Sequence, residues 1–239
     1  MIALVLPIWD YFEARRLRLA CSSADRVRYY RITLAVLWIL TAGSVWVLGW
    51  RHVLDAGGVL VDASRSLANP YLRFGLGGIA FLFISLAILP SVFAIRKPKA
   101  RAAYGRAIMK SPFAFLFPTT PLERRYFAAL SISAGVCEEV VFRAFLIHYF
   151  HSAPYLFGPF LALIASSILF GINHGYQGPA GVLTSGIAGL LFGLIYFSTG
   201  SLVLAMVLHA LTDLRALALL RPSSEPPTTT EAPVAMQAT

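Results

Sequence analysis

The chain has 239 residues, 58% hydrophobic and only 13% charged, about half the charged share of an average globular domain. That apolar excess goes beyond what a soluble core of this size needs; it points to a membrane and excludes disorder, collagen-like repeats and a disulfide scaffold. The net charge is +9, but the cations stand in blocks beside apolar segments, as topology signals do, and not as a nucleic-acid surface.

Residues Met1 to Tyr30 mix Trp9, Tyr11, Phe12 and Leu17 with Arg15, Arg16, Arg18, Arg26 and Arg28. That mixture suits an interfacial amphipathic helix on the bilayer. The leading MIALVLPIW is too short, and wrongly flanked, for a cleaved signal peptide. A first span is expected from Ile32 to Trp50 and a second from Phe74 to Ile95, neither with a formal charge. A third apolar stretch, about Tyr126 to Phe150, carries Glu138, Glu139 and Arg143. Three more follow, at roughly Phe157 to Asn173, Ala180 to Phe197 and Leu202 to Leu220. From Arg221 to Thr239 the composition turns to Pro, Ser, Thr and Glu, and a disordered tail is expected.

The fold class is therefore all-α: a polytopic bundle of about six transmembrane helices. Its parts are an N-terminal segment (1–31), two spans with a basic loop (32–125), a core (126–220) and a tail (221–239). Arg96, Lys97, Lys99, Arg101, Arg106, Lys110, Arg124 and Arg125 lie between the second and third spans. With the six Arg before the first span, they place both termini in the cytoplasm of a cell membrane. Only Lys97, Lys99 and Lys110 among the 20 basic residues are Lys. That Arg bias points to a GC-rich bacterial genome and an inner membrane.

Ionisable side chains at bilayer depth cost roughly 2.5–3.5 kcal/mol each, so they pair, line a wet cavity or do chemistry. They fall in three clusters: Glu138 to Arg143, Phe170 to His174, and His209 to Asp213. Glu139 and Arg143 are i,i+4 with the acid first, the favourable order for a pair. Glu138 lies ~100° around that helix from Glu139 and is the freer carboxylate, suited to act as a base. His209 and Asp213 are also i,i+4, so Asp213 could orient the His209 ring and fix its tautomer. His174 stands at a span end beside Gly175 and Gly178, where water can enter. His148 and His151 read as interfacial residues, and buried Cys137 as inert packing. Ser185, Gly189 and Gly193 form a small-xxx-small ladder that allows close helix approach. Counted from the span ends, His174 lies about two turns nearer the cytoplasm than Glu138 or His209.

In order along the chain, EExxxR, FxxxH and HxxxD resemble the motifs of the CAAX-protease and bacteriocin-processing family. This is the type II CAAX prenyl endopeptidase superfamily of glutamate-dependent intramembrane proteases. The resemblance covers about residues 125–220. It implies that Glu138 activates the attacking water and that His174 helps hold it. His209 and Asp213 would form the oxyanion site, with Glu139 and Arg143 as structural support. Eukaryotic members are similar but end the third motif in Asn. An ionised Asp offers only acceptors, so Asp213 is either protonated or acts by orienting His209.

Glu138, His174 and His209 could instead form a His₂Glu zinc site, although no HExxH spacing is present. No cofactor is the leading expectation. The expected partners are the bilayer and a membrane-associated protein or peptide substrate, and no nucleic acid. Two other readings use the same residues: a non-catalytic immunity or scaffold protein, and a proton-coupled transporter.

Overall fold

The computed structural model describes residues 11–19, 22–49, 53, 60, 62–63, 69–152 and 154–220. The expectations for residues 1–10 and for the tail from 221 onward lie outside these. Residues 11–19 are helical. Then come α1 (Ser23–Leu48), α2 (Pro70–Arg96), α3 (Pro98–Met109) and α4 (Pro121–Glu139). The last continues into a π-helical segment, Val140–Leu146, and the short α5 (Ile147–His151). After these come α6 (Pro159–Asn173), α7 (Pro179–Thr199) and α8 (Leu202–Leu219). Among the described residues there is no strand, as the all-α reading requires.

Proline marks where these helices begin. Pro70, Pro98, Pro121, Pro159 and Pro179 each sit in the first turn, where the missing N–H costs nothing and φ is already helical. The side chains of Ser22, Asn69, Thr120 and Ser201 cap their helices. Thr120 and Glu123 form a reciprocal capping box. Gly178 enters α7 at φ 83° and Gly200 leaves it at φ 72°, backbone that only glycine adopts without strain.

Four helices are long and apolar enough to cross a membrane: α1, α2, α7 and α8, with α6 a shorter apolar helix. The expected count of six is therefore not reproduced as six long apolar helices. α1 begins at Ser23, nine residues before the expected start of the first span, because Ser22 caps it there. The segment to Tyr30 is thus not one interfacial helix. The expected third span is helical from Pro121, but it is interrupted by π geometry directly after Glu139. Exposed Phe81, Leu82, Phe83, Leu86, Leu89 and Phe93 cover the outer face of α2, an apolar surface that lipid can cover and water cannot.

Inside the bundle, α4 packs between α1 and α8, while α7 packs between α6 and α2. One core joins Val140, Ala144 and Ile147 to Leu163, Tyr196 and Phe197. A second joins Ala80 and Ile84 of α2 to Phe192, Ile195 and Leu208. A third gathers Leu17, Tyr29, Tyr30 and Leu116 around Tyr176. Glycines set the closest approaches. A Cβ at Gly135 would stand 2.7 Å from the backbone nitrogen of Ala210, so α4 and α8 cross with their backbones almost touching. In the expected ladder, Gly193 faces Leu163 of α6, and Gly189 leaves room for the Arg143 guanidinium, 3.1 Å from where a Cβ would be.

Candidate active site

The crossing of α4 and α8 at Gly135 brings the first and third clusters together. Glu139 is fully buried between Arg143 and His209. Its Oε2 is 3.2 Å from Nε of Arg143, the i,i+4 pair expected on this helix. Its Oε1 accepts a hydrogen bond from Nδ1 of His209 at 2.8 Å. A carboxylate only accepts, so Nδ1 carries the proton. The ring's orientation therefore comes from Glu139 and not from Asp213, the partner expected from spacing alone.

The other nitrogen, Nε2 of His209, lies 3.8 Å from Oε2 of Glu138 and 3.8 Å from Oδ2 of Asp213. The ring is thus held by one carboxylate and faces two more. Phe192 stacks on it at 5.0 Å between centroids, and Phe170 meets it edge-on at 5.8 Å. Phe170, the first residue of the second motif, also lies under the Arg143 guanidinium at 4.4 Å. That cation–π contact covers a charge whose Nη atoms make no hydrogen bond.

His174 ends α6. Its Nδ1 donates to the carbonyl of Phe170 at 2.8 Å, so the neutral ring presents Nε2 as an acceptor. Despite the offset expected from the span ends, His174 lines the same cavity as Glu138 and His209. The fifteen residues of α6 rise only ~22 Å, well short of a ~30 Å hydrocarbon core. The 3₁₀ turn Gly175–Gln177 then carries the chain directly into α7. Irregular backbone at such depth is tolerated where it lines a cavity.

A cavity of about 500 Å³ joins these groups. Glu138, His174, His209 and Asp213 all line it, with Phe170 and Phe192. Glu138 is 9% exposed, and its Oε2 makes no hydrogen bond to the protein. The cavity continues past Thr33 and Leu37 of α1 to Ser111 and Phe113 beyond α3. Among the described residues no group of three or more His, Cys, Asp or Glu is placed to hold a metal ion. Nδ1 of His209 is already committed to Glu139.

Two features escaped the sequence reading. Gly135 sits one turn before Glu138 with no motif to mark it, yet it sets the distance to His209. The π segment that carries Arg143 has no compositional signal at all. Such segments often occur at functional sites.

Residues 121–215 match the family model described as type II CAAX prenyl endopeptidase, Rce1-like. The match spans all three motifs, and the resemblance read from them is borne out. No curated protein and no solved structure matches the chain. The family is one of proteases, and with the four long apolar helices the match makes this a multi-pass membrane protein.

Proposed function

We propose that the chain is an intramembrane endopeptidase. On this reading it hydrolyses a peptide bond in a membrane-associated protein or peptide, and Glu138 activates the water. The observation that carries the reading is Glu138 itself. It is a buried carboxylate with an oxygen that makes no hydrogen bond, on the wall of the cavity shared by His174, His209 and Asp213. The similarity over residues 121–215 supports it independently.

The chemistry follows from the donors and acceptors. Glu138 takes one proton of a water while Nε2 of His174 accepts the other as a hydrogen bond. The water oxygen then attacks the scissile carbonyl carbon. Nδ1–H of His209 is spent on Glu139, so the ring can donate to the oxyanion through Nε2 only as an imidazolium. The three surrounding carboxylates are a setting for that cation. One such oriented donor is worth about 3–4 kcal/mol of barrier. Collapse of the tetrahedral intermediate returns the proton from Glu138 to the leaving amine. Asp213, an acceptor 3.8 Å from Nε2, serves the imidazolium and not the oxyanion. No step in this scheme uses a metal.

The test is a comparison of protein termini, by mass spectrometry, in membranes from cells carrying wild-type or Glu138→Ala protein. Termini that vanish with Glu138 and persist in a metal chelator are the expected result. Loss in chelator with recovery on adding zinc would move the chemistry to a metal. Identical termini from two folded, expressed variants would favour the non-catalytic immunity or scaffold reading.

A further inference from the structure

The cavity ends at the level of Glu138 on four of the helices that wall it. Its lining residues run from Tyr29 to Leu40 on α1, Phe127 to Glu138 on α4, Thr184 to Phe192 on α7 and His209 to Ala216 on α8. α1 and α4 run in the same direction, since Tyr30 meets Phe127 and Trp38 meets Ser133. α8 runs against them, with His209 beside Glu139 and Leu217 beside Arg124. Phe192, the last lining residue of α7, stacks on His209. Past that level Val140, Ala144 and Ile147 carry the chain into packed core. The cavity therefore runs one way from Glu138, about 16 Å along α4 to Phe127.

Helix 11–19 is seated on that far end. Leu17, 2% exposed, belongs to one cluster with Tyr29, Tyr30 and Leu116, packed by Phe113, Phe127 and Tyr176. All six of these partners also line the cavity. Tyr176 in turn lies 5.9 Å from the ring of His174. Nη2 of Arg18 donates to the carbonyl of Pro112 at 2.8 Å, and its guanidinium lies over the Phe115 ring at 4.9 Å. Arg18 thereby holds the segment between α3 and α4 that carries Phe113 and Leu116. The seat is shallow. Of residues 11–19 only Ala14 and Leu17 are buried. The ties made by Arg18 and by Glu13 with Arg28 are exposed, and exposed ties contribute little. Leu17 is thus the main hold, and elements held so lightly open locally.

We propose that helix 11–19 is a strap on the end of the cavity remote from Glu138, and that lifting it widens the way in. As a control on cleavage this rests on the proteolytic reading, while as a control on access to the cavity it is measured without it.

Access is read by N-ethylmaleimide labelling of the full-length protein in phosphatidylcholine nanodiscs, followed by intact mass. The chain has two cysteines, Cys21 and Cys137. Ser131→Cys in a Cys21→Ser/Cys137→Ala background therefore places a single thiol on the cavity wall. Leu17→Glu puts a charge among apolar and aromatic groups that cannot pair it. It is expected to speed labelling by about fivefold or more. Leu17→Met fills the same space and should match the parent. Equal rates in all three overturn the proposal. Cys137, buried and outside the cavity, is the control: in Cys21→Ser protein it should stay unlabelled with or without Leu17→Glu. If it labels as fast as the wall thiol, Leu17→Glu has loosened the whole fold, and Arg18→Ala decides. Faster labelling at position 131 with Cys137 silent then supports the strap, and unchanged labelling overturns it. No step of this readout needs cleavage, so failure of the proteolytic reading leaves it intact.

Discussion

Glu139 and His209 are 70 residues apart, yet their side chains share a 2.8 Å hydrogen bond sealed from solvent. Arg143 holds the other oxygen of the same carboxylate. One acid thus fixes both a cation on its own helix and the ring that faces the cavity.

That double duty separates two substitutions. Glu139→Gln keeps an acceptor for Nδ1–H but removes the charge beside Arg143 and His209. Activity is expected to fall by roughly 10²–10⁴, as when a His-orienting carboxylate is neutralised. The loss should lie mostly in kcat. Glu139→Ala leaves Arg143 buried and unpaired and should also cost about 3–5 kcal/mol of stability. Kinetics and thermal unfolding in detergent check the pair.

Gly135→Ala is expected to force α4 from α8, because its Cβ would meet the Ala210 backbone. Overpacking of this kind costs about 1–3 kcal/mol, and the Glu139–His209 bond should lengthen with it. Gly43 lies in α1 with open space where a Cβ would go. Gly43→Ala should leave activity unchanged and raise stability by up to ~1 kcal/mol. Thermal unfolding and terminus profiling of the two variants give the contrast.

Asp213→Asn is expected to slow cleavage, since it removes the carboxylate that faces Nε2 of the His209 imidazolium. Asp213→Leu should lose it by a larger factor. Equal loss in both would mean that the charge at 213, beside Nε2 of His209, is what the reaction needs. Rates for the three proteins on one substrate decide it.

At the head of α4, before the apolar stretch, Glu123 accepts from the Thr119 N–H at 2.6 Å and from Nε of Arg26 at 3.0 Å. Burial alone pushes its carboxyl up, but hydrogen bonds from Ser23 and Thr119 and the Arg26 guanidinium outweigh it and hold it at about 2. The folded value lies below the unfolded one. The stabilisation is therefore complete above the ordinary carboxyl range near 4.5 and is lost as pH falls toward 2. Unfolding in detergent between pH 2 and 5 should show this slope, and Glu123→Gln should flatten it.

Local relationships were legible in the sequence, and distant ones were not. Uncharged runs marked α1 and α2 because no loop can be so apolar. The pairing of Glu139 with Arg143 followed from helical spacing. Spacing also paired Asp213 with His209, and it does face Nε2 at 3.8 Å, but spacing could not show Glu139, whose hydrogen bond to Nδ1 comes from a crossing helix. The role of Gly135 depends on the same crossing. α6 delivers His174 to the cavity shared with the other two clusters, which spacing did not show. Its end is set by Gly175 and Gly178, but the depth it reaches depends on how α6 packs.

The cavity has a further consequence for supply. One water needs only about 10–15 Å³ of such space, so about 500 Å³ has room for a pool of water among helices that lipid surrounds. The co-reactant of a hydrolysis would then be stored at the site, and turnover would not wait on diffusion of water through hydrocarbon. Hydration of the chamber, and not permeability of the bilayer, would set how often Glu138 finds a molecule to activate. A bulky residue at Ala134 or Ala188, which line it, would drain the pool without touching a single polar group.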